Sequence, residues 1–161
     1  MRIIKYILLG IIVLYFQIMF ASGFILFGII PNFLIAYLVF TNLNLELRSS
    51  SFIAFFIGIA FDLIQPSLLG LHTISFLVIS FFVSNYHKSI NKERFDIVAL
   101  SILALNIFHF LLISIFYLAS APFEIKMIGN LLLAIIYNFI VTFIVTYIFF
   151  LLSRIRISLK V

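Results

Sequence analysis

The sequence predicts an all-α polytopic membrane protein, a bundle of six transmembrane helices. Three observations carry that expectation. Apolar residues make up 66% of the 161 positions, well above the ~45–50% of soluble domains. Charged residues are only 9%, against roughly 25% in soluble domains. The few basic residues stand singly or in pairs beside long apolar runs rather than on a continuous face. A soluble fold this small cannot cover so much apolar surface, so the bilayer is its solvent.

Each span needs about 20 apolar residues. The chain divides into spans at 3–21, 24–41, 51–64, 68–86, 97–119 and 127–152, one transmembrane domain over 1–161. Arg2 and Lys5 open the first. No Ala-x-Ala-like site with a polar stretch follows it, so it reads as a retained span rather than a cleaved signal. The second contains Pro31 within GIIPNFLIAYLVF. Proline suits the first turn of a helix, so this helix is expected to start at Pro31, with Phe24 to Ile30 non-helical and packed against the protein. The third span is short and either extends back through Asn44 to Ser50 or sits in a thinned bilayer. A tight turn at Gln65-Pro66-Ser67 starts the fourth, and the loop His87 to Asp96 precedes the fifth.

Charge orients the bundle. With the N-terminus inside, Arg2, Lys5, Arg48, Lys88, Lys92, Arg94, Arg154, Arg156 and Lys160 fall on the inner side, and only Lys126 on the outer. That bias follows the positive-inside rule, places both termini in the cytoplasm and rejects a five-span count, which strands a basic cluster outside. The net charge of +5 therefore marks topology and anionic lipid rather than nucleic acid.

Several chemistries are excluded. Cysteine is absent, which removes disulfide and thiolate chemistry. There is no Gly-rich phosphate loop, no Gly-x-Ser-x-Gly and no His-Glu-x-x-His, and the serines of SSSF lack a base. No catalytic residue or cofactor is expected. Two histidines without a third ligand make a poor metal site.

The polar residues inside the spans are the candidate site. Asp62 follows Ala54 and Gly58 at steps of four, one helical face whose small members let a neighbouring backbone approach. The carboxylate then faces the start of the next helix, whose free N–H groups attract an anion, and His72 lies within reach. An intramembrane acid is by default a proton or ion ligand. Its expected place near the outer surface, with no second acid in the spans, favours a lock that fastens the hairpin. The sixth span carries Asn130, Ala134, Asn138, Thr142 and Thr146 at steps of four, a packing stripe. Asn106 and His109 share one side of the fifth span, at a depth where they are expected to meet Asn138.

PNFLIAYLVF at 31–40 and GIAFDLIQPSLLGLHTISF at 58–76 together resemble the family of rod shape-determining membrane proteins MreD. In that family a proline opens the second span, and a Gly-x-x-x-Asp segment is followed by a turn and a Leu-Gly-Leu/His-type helix start. Pro31, Gly58, Asp62, Pro66, Gly70 and Leu71 occupy those places here. Asn32 departs from the pattern, since many relatives carry an acidic residue there. The resemblance implies a non-enzymatic, inner-membrane member of the bacterial elongation machinery. It would bind the periplasmic scaffold protein MreC, beside the actin-like MreB filament, a SEDS-type glycosyltransferase and a penicillin-binding transpeptidase. It also implies a fold similar to the six-helix S components of energy-coupling-factor vitamin transporters, which makes a vitamin-binding subunit the alternative.

Overall fold

The computed structural model describes residues 2–86, 95–120 and 125–158. The inner-loop residues His87, Lys88, Lys92, Glu93 and Arg94, with Glu124 and Lys160, lie outside the described residues. The described chain forms six α-helices: α1 (Arg2–Met19), α2 (Phe33–Asn42), α3 (Leu47–Ile64), α4 (Leu71–Tyr86), α5 (Phe95–Ser120) and α6 (Ile125–Ser158). Three of them, α3, α5 and α6, are long and apolar enough to cross a membrane, and the other three are shorter apolar helices. The protein is an integral membrane helical bundle.

The centre of the bundle is its shortest helix. All ten residues of α2 are buried, and α1, α3, α4 and α6 pack around it. Ten residues rise only ~15 Å, half of the hydrocarbon core. Both ends of α2 therefore lie at depths where water does not supply hydrogen bonds, and side chains must do so. At the start, the Asn32 side chain accepts from the Leu34 N–H at 3.1 Å. At the end, Asn42 and Asn44 each donate to the carbonyl four residues back, at 2.7 Å.

The expected start of α2 at Pro31 shifts to Phe33, because Asn32 is the capping residue and Pro31 stands before it. Phe24 to Ile30 is not an α-helix, but it is not packed against the protein as expected: all of it except half-buried Ile29 is exposed. A single 3₁₀ turn (Ala21–Phe24) leads into a small hairpin in which Leu26 and Ile29 exchange backbone hydrogen bonds, with Phe27 and Gly28 at positive φ.

The tightest helical pair is α3–α4. A Cβ on Gly58 would stand 2.5 Å from the Thr73 Cα, so only glycine permits that approach. Ala54 is fully buried one turn away. Helix α3 extends back to Leu47. Helix α4 starts at Leu71, later than the Gln65-Pro66-Ser67 turn: a 3₁₀ turn (Pro66–Leu68) comes first, and Gly70 at φ 90° then redirects the chain into the helix. A similar close approach joins α1 to the centre, where a Cβ on Gly10 would meet Tyr37 and Ile57 within 2.7 Å. The Tyr37 hydroxyl donates to the Tyr6 carbonyl at 2.7 Å.

Candidate functional site

Two helices, α2 and α4, begin at the same level in the bundle, and their N–H groups need acceptors in an apolar setting. Asp62, in the last turn of α3, serves α4. Its Oδ1 accepts from the His72 N–H at 3.1 Å and pairs with His72 Nδ1 at 2.9 Å. Its Oδ2 accepts from the Thr73 N–H at 3.0 Å and the Thr73 hydroxyl at 2.6 Å. The carboxylate is buried and all four contacts come from the first turn of α4. An anion belongs there, since the helix presents its positive end.

The start of α2 is capped by residues from three helices. The Gln17 side chain donates to the Pro31 carbonyl at 2.9 Å and accepts from the Phe33 N–H at 2.7 Å. The Asn32 N–H donates to Asn138 Oδ1 of α6 at 2.7 Å, across 106 residues of sequence. The Asn138 amide nitrogen donates to the Ala134 carbonyl at 3.0 Å.

His109 joins the two caps. Because Asn32 Oδ1 faces the Leu34 N–H, its Nδ2 faces His109 Nε2 at 3.3 Å. An amide NH₂ only donates, so Nε2 accepts and the imidazole proton sits on Nδ1. Nδ1–H then donates to the Ser75 hydroxyl at 2.7 Å. The His109 and His72 rings lie 5.7 Å apart, with Phe76 beside both. Gln17, Asn32, Asp62, His72, Thr73, Ser75, His109 and Asn138 thus form one buried layer, to which α1 to α6 all contribute, on the side that the charge pattern predicts to be outer.

A second layer lies at the other end of α2. Asn42 Oδ1 accepts from the Ser80 hydroxyl at 2.6 Å and the Ser84 hydroxyl at 3.1 Å. Ser50 lies 3.1 Å from Ser84 and Ser51 lies 3.4 Å from Ser80. This inner layer ties α2, α3 and α4.

Several expected positions fall differently. Asn106 and Asn138 do not hydrogen-bond directly: Asn32 stands between Asn138 and His109, and the Asn106 side chain donates to its own Ile102 carbonyl at 2.9 Å. Asn130 is exposed, because α6 there has run past the bundle, while Asn138, Thr142 and Thr146 further along the stripe are buried. Pro66 opens the 3₁₀ turn between α3 and α4 and Gly70 ends that connection. Pro31 contributes its carbonyl. Gln17, Asn32, Thr73 and Ser75 were not among the candidates. The signal for Gln17 was its standing as the lone side-chain amide of the first span, and for Asn32 its place just after a proline.

Chemically, the layer caps helices and holds no exposed nucleophile. Among the described residues no group of three potential ligands gathers to hold a metal ion. No curated protein and no solved structure matches the chain. The family profile described as rod shape-determining protein MreD matches residues 1–156. The chain therefore belongs to the MreD family of rod shape-determining membrane proteins.

Proposed function

We propose that this MreD-family protein is a non-enzymatic scaffold of the rod complex in the bacterial cytoplasmic membrane, with both termini inside. It binds MreC directly and supports peptidoglycan synthesis alongside MreB, a SEDS glycosyltransferase and a penicillin-binding transpeptidase. The observation that supports this reading is the commitment of the intramembrane ionisable groups. Asp62 is spent on the start of α4, and His109 is held between Ser75 and Asn32. A carrier needs groups free to exchange their cargo; a scaffold needs them fixed.

Helix α2 offers no face to a partner, because every residue of it is buried. The lipid-facing side of the α3–α4 pair is the better surface. Phe52, Phe55 and Phe56 on α3 and Phe81 and Phe82 on α4 are exposed there, with the Phe52 and Phe56 rings 4.6 Å apart. Rigid aromatic rings give a large contact area at low entropic cost, which suits the reception of a partner's membrane helix.

The six-helix count also fits the S-component likeness. A vitamin site, however, wants polar groups open at the outer ends, and here the outer polar groups bond one another. The test is co-expression with MreC, gentle extraction and native mass spectrometry. Capture of MreC by the wild type, lost in a Phe52→Ala/Phe56→Ala variant of unchanged thermal stability, supports the scaffold. Retention of a vitamin together with an ATPase module, and no MreC, overturns it.

A further inference from the structure

The outer polar layer fixes the depth of every helix against the others. Along α6 the rise from Lys126 to Arg154 is about 42 Å at 1.5 Å per residue. That matches a whole bilayer with its headgroups, about 40–45 Å, around a hydrocarbon core of about 30 Å. The hydrocarbon boundary then lies about 6 Å inside each basic position. Asn138, the α6 member of the layer, is about 18 Å from Lys126. The layer, Asp62 included, therefore lies about 12 Å beneath the outer hydrocarbon boundary, deeper than the near-surface place expected from the sequence.

The outer ends of α1 to α4 do not reach that boundary. Helix α3 ends at Ile64, about 3 Å past Asp62. The Phe24 carbonyl accepts from the Tyr137 hydroxyl at 2.5 Å, and its ring packs 5.7 Å from that of Phe33, so Phe24 sits at the layer. Phe27, three residues on, rises at most about 10 Å even if fully extended. The α5–α6 hairpin continues: Ser120 lies about 16 Å beyond His109.

The short ends carry the side chains that such a depth requires. Residues 24–30 read FILFGII, with Phe27 79% exposed, and Leu63 and Leu69 at the other turn are each 66% exposed. Their backbones are closed in part: Leu26 and Ile29 bond each other, Leu68 N–H bonds the Gln65 carbonyl, and Leu69 N–H bonds the Pro66 carbonyl. Backbone at membrane depth must find its hydrogen bonds within the protein, and these turn bonds supply part of them.

We propose that the outer turns of α1–α2 and α3–α4 are seated among lipid acyl chains, so that the outer leaflet forms a thinned, lipid-filled recess beside the projecting α5–α6 hairpin. The occupant is bilayer lipid, because residues 24–30 are apolar throughout, Leu63, Ile64 and Leu69 expose apolar surface on either side of Gln65-Pro66-Ser67, and both turns lie below the hydrocarbon boundary. The inference rests on the bundle spanning a membrane but not on MreC capture, so the two readings fail separately.

The absence of cysteine makes the test direct. Single Phe27→Cys, Leu69→Cys and Lys126→Cys variants are spin-labelled in vesicles of phosphatidylethanolamine and phosphatidylglycerol. Relaxation by oxygen, which concentrates in acyl chains, is compared with relaxation by a water-soluble nickel chelate. The expected result is oxygen several-fold ahead at 27 and 69 and the chelate several-fold ahead at 126. Chelate access at 27 or 69 overturns the proposal by placing the turns in water. Protection of both labels from both reagents overturns it in favour of cover by protein, a second copy included.

Discussion

The two polar layers at the ends of α2 face the same problem and solve it differently. The outer layer uses a carboxylate, two imidazoles and three amides, and it draws on all six helices. The inner layer uses four serines and one asparagine from three helices. The outer layer must satisfy the starts of two helices, whose N–H groups have no partner within the helix. A carboxylate with four contacts meets that need where hydroxyls, which bring their own donor, do not. The inner layer meets a helix end whose carbonyls Asn42 and Asn44 already bond from within. Its hydroxyls only fix neighbours in register. Charge is thus placed where backbone donors converge, and neutral groups where they do not.

That contrast is open to breakage. The largest effect is expected from Asp62→Leu, which strips acceptors from two backbone N–H groups, a hydroxyl and an imidazole at once. Loss of one partner of a buried pair costs about 3–5 kcal/mol, and unfolding of the purified protein in detergent should show it. Asp62→Asn keeps one acceptor and should cost less. An Asp62→Asn protein that folds and assembles like wild type would remove the lock.

Gly58→Leu is next. Its side chain has no room against Thr73, and overpacking costs typically 1–3 kcal/mol. Cysteine cross-linking between α3 and α4 should weaken in step with thermal stability, and unchanged cross-linking would contradict the close approach. Asn138→Leu follows, at about 1–3 kcal/mol for an orphaned buried donor, here the Asn32 N–H. The smallest effect belongs to the inner layer. Ser80→Ala should cost about 0.6 kcal/mol, the average for a hydrogen bond within a membrane bundle. A Ser80→Ala loss as large as that of Asn138→Leu would erase the distinction between the layers.

Local spacing made half of the outer layer legible. Ala54, Gly58 and Asp62 share a helical face by periodicity alone, and a short turn brings the next helix start to the carboxylate. The rest depends on contacts far apart in sequence. Asn32 was visible only as a departure from a family pattern, yet it bonds α6 and α5 together. Gln17 belongs to no motif, and its partners lie 14 and 16 residues away. Asn130 had the right period and the wrong depth, because periodicity does not say where a helix leaves the bundle. The serines of the inner layer looked inert, since a search for nucleophiles asks for a base and not for Asn42. The length of α2 was nearly legible, because Pro31 marked its start to within two residues of Phe33.

The buried centre carries a consequence for how the protein is made. Helix α2 has no side of its own to offer lipid, and the acceptor for the Asn32 N–H arrives on α6, 106 residues later in the chain. Helix α2 therefore waits, incompletely fastened, until α6 has been synthesised. A nascent protein cut short before Asn138 would keep its central rod unsecured, a defect the cell's proteases can recognise.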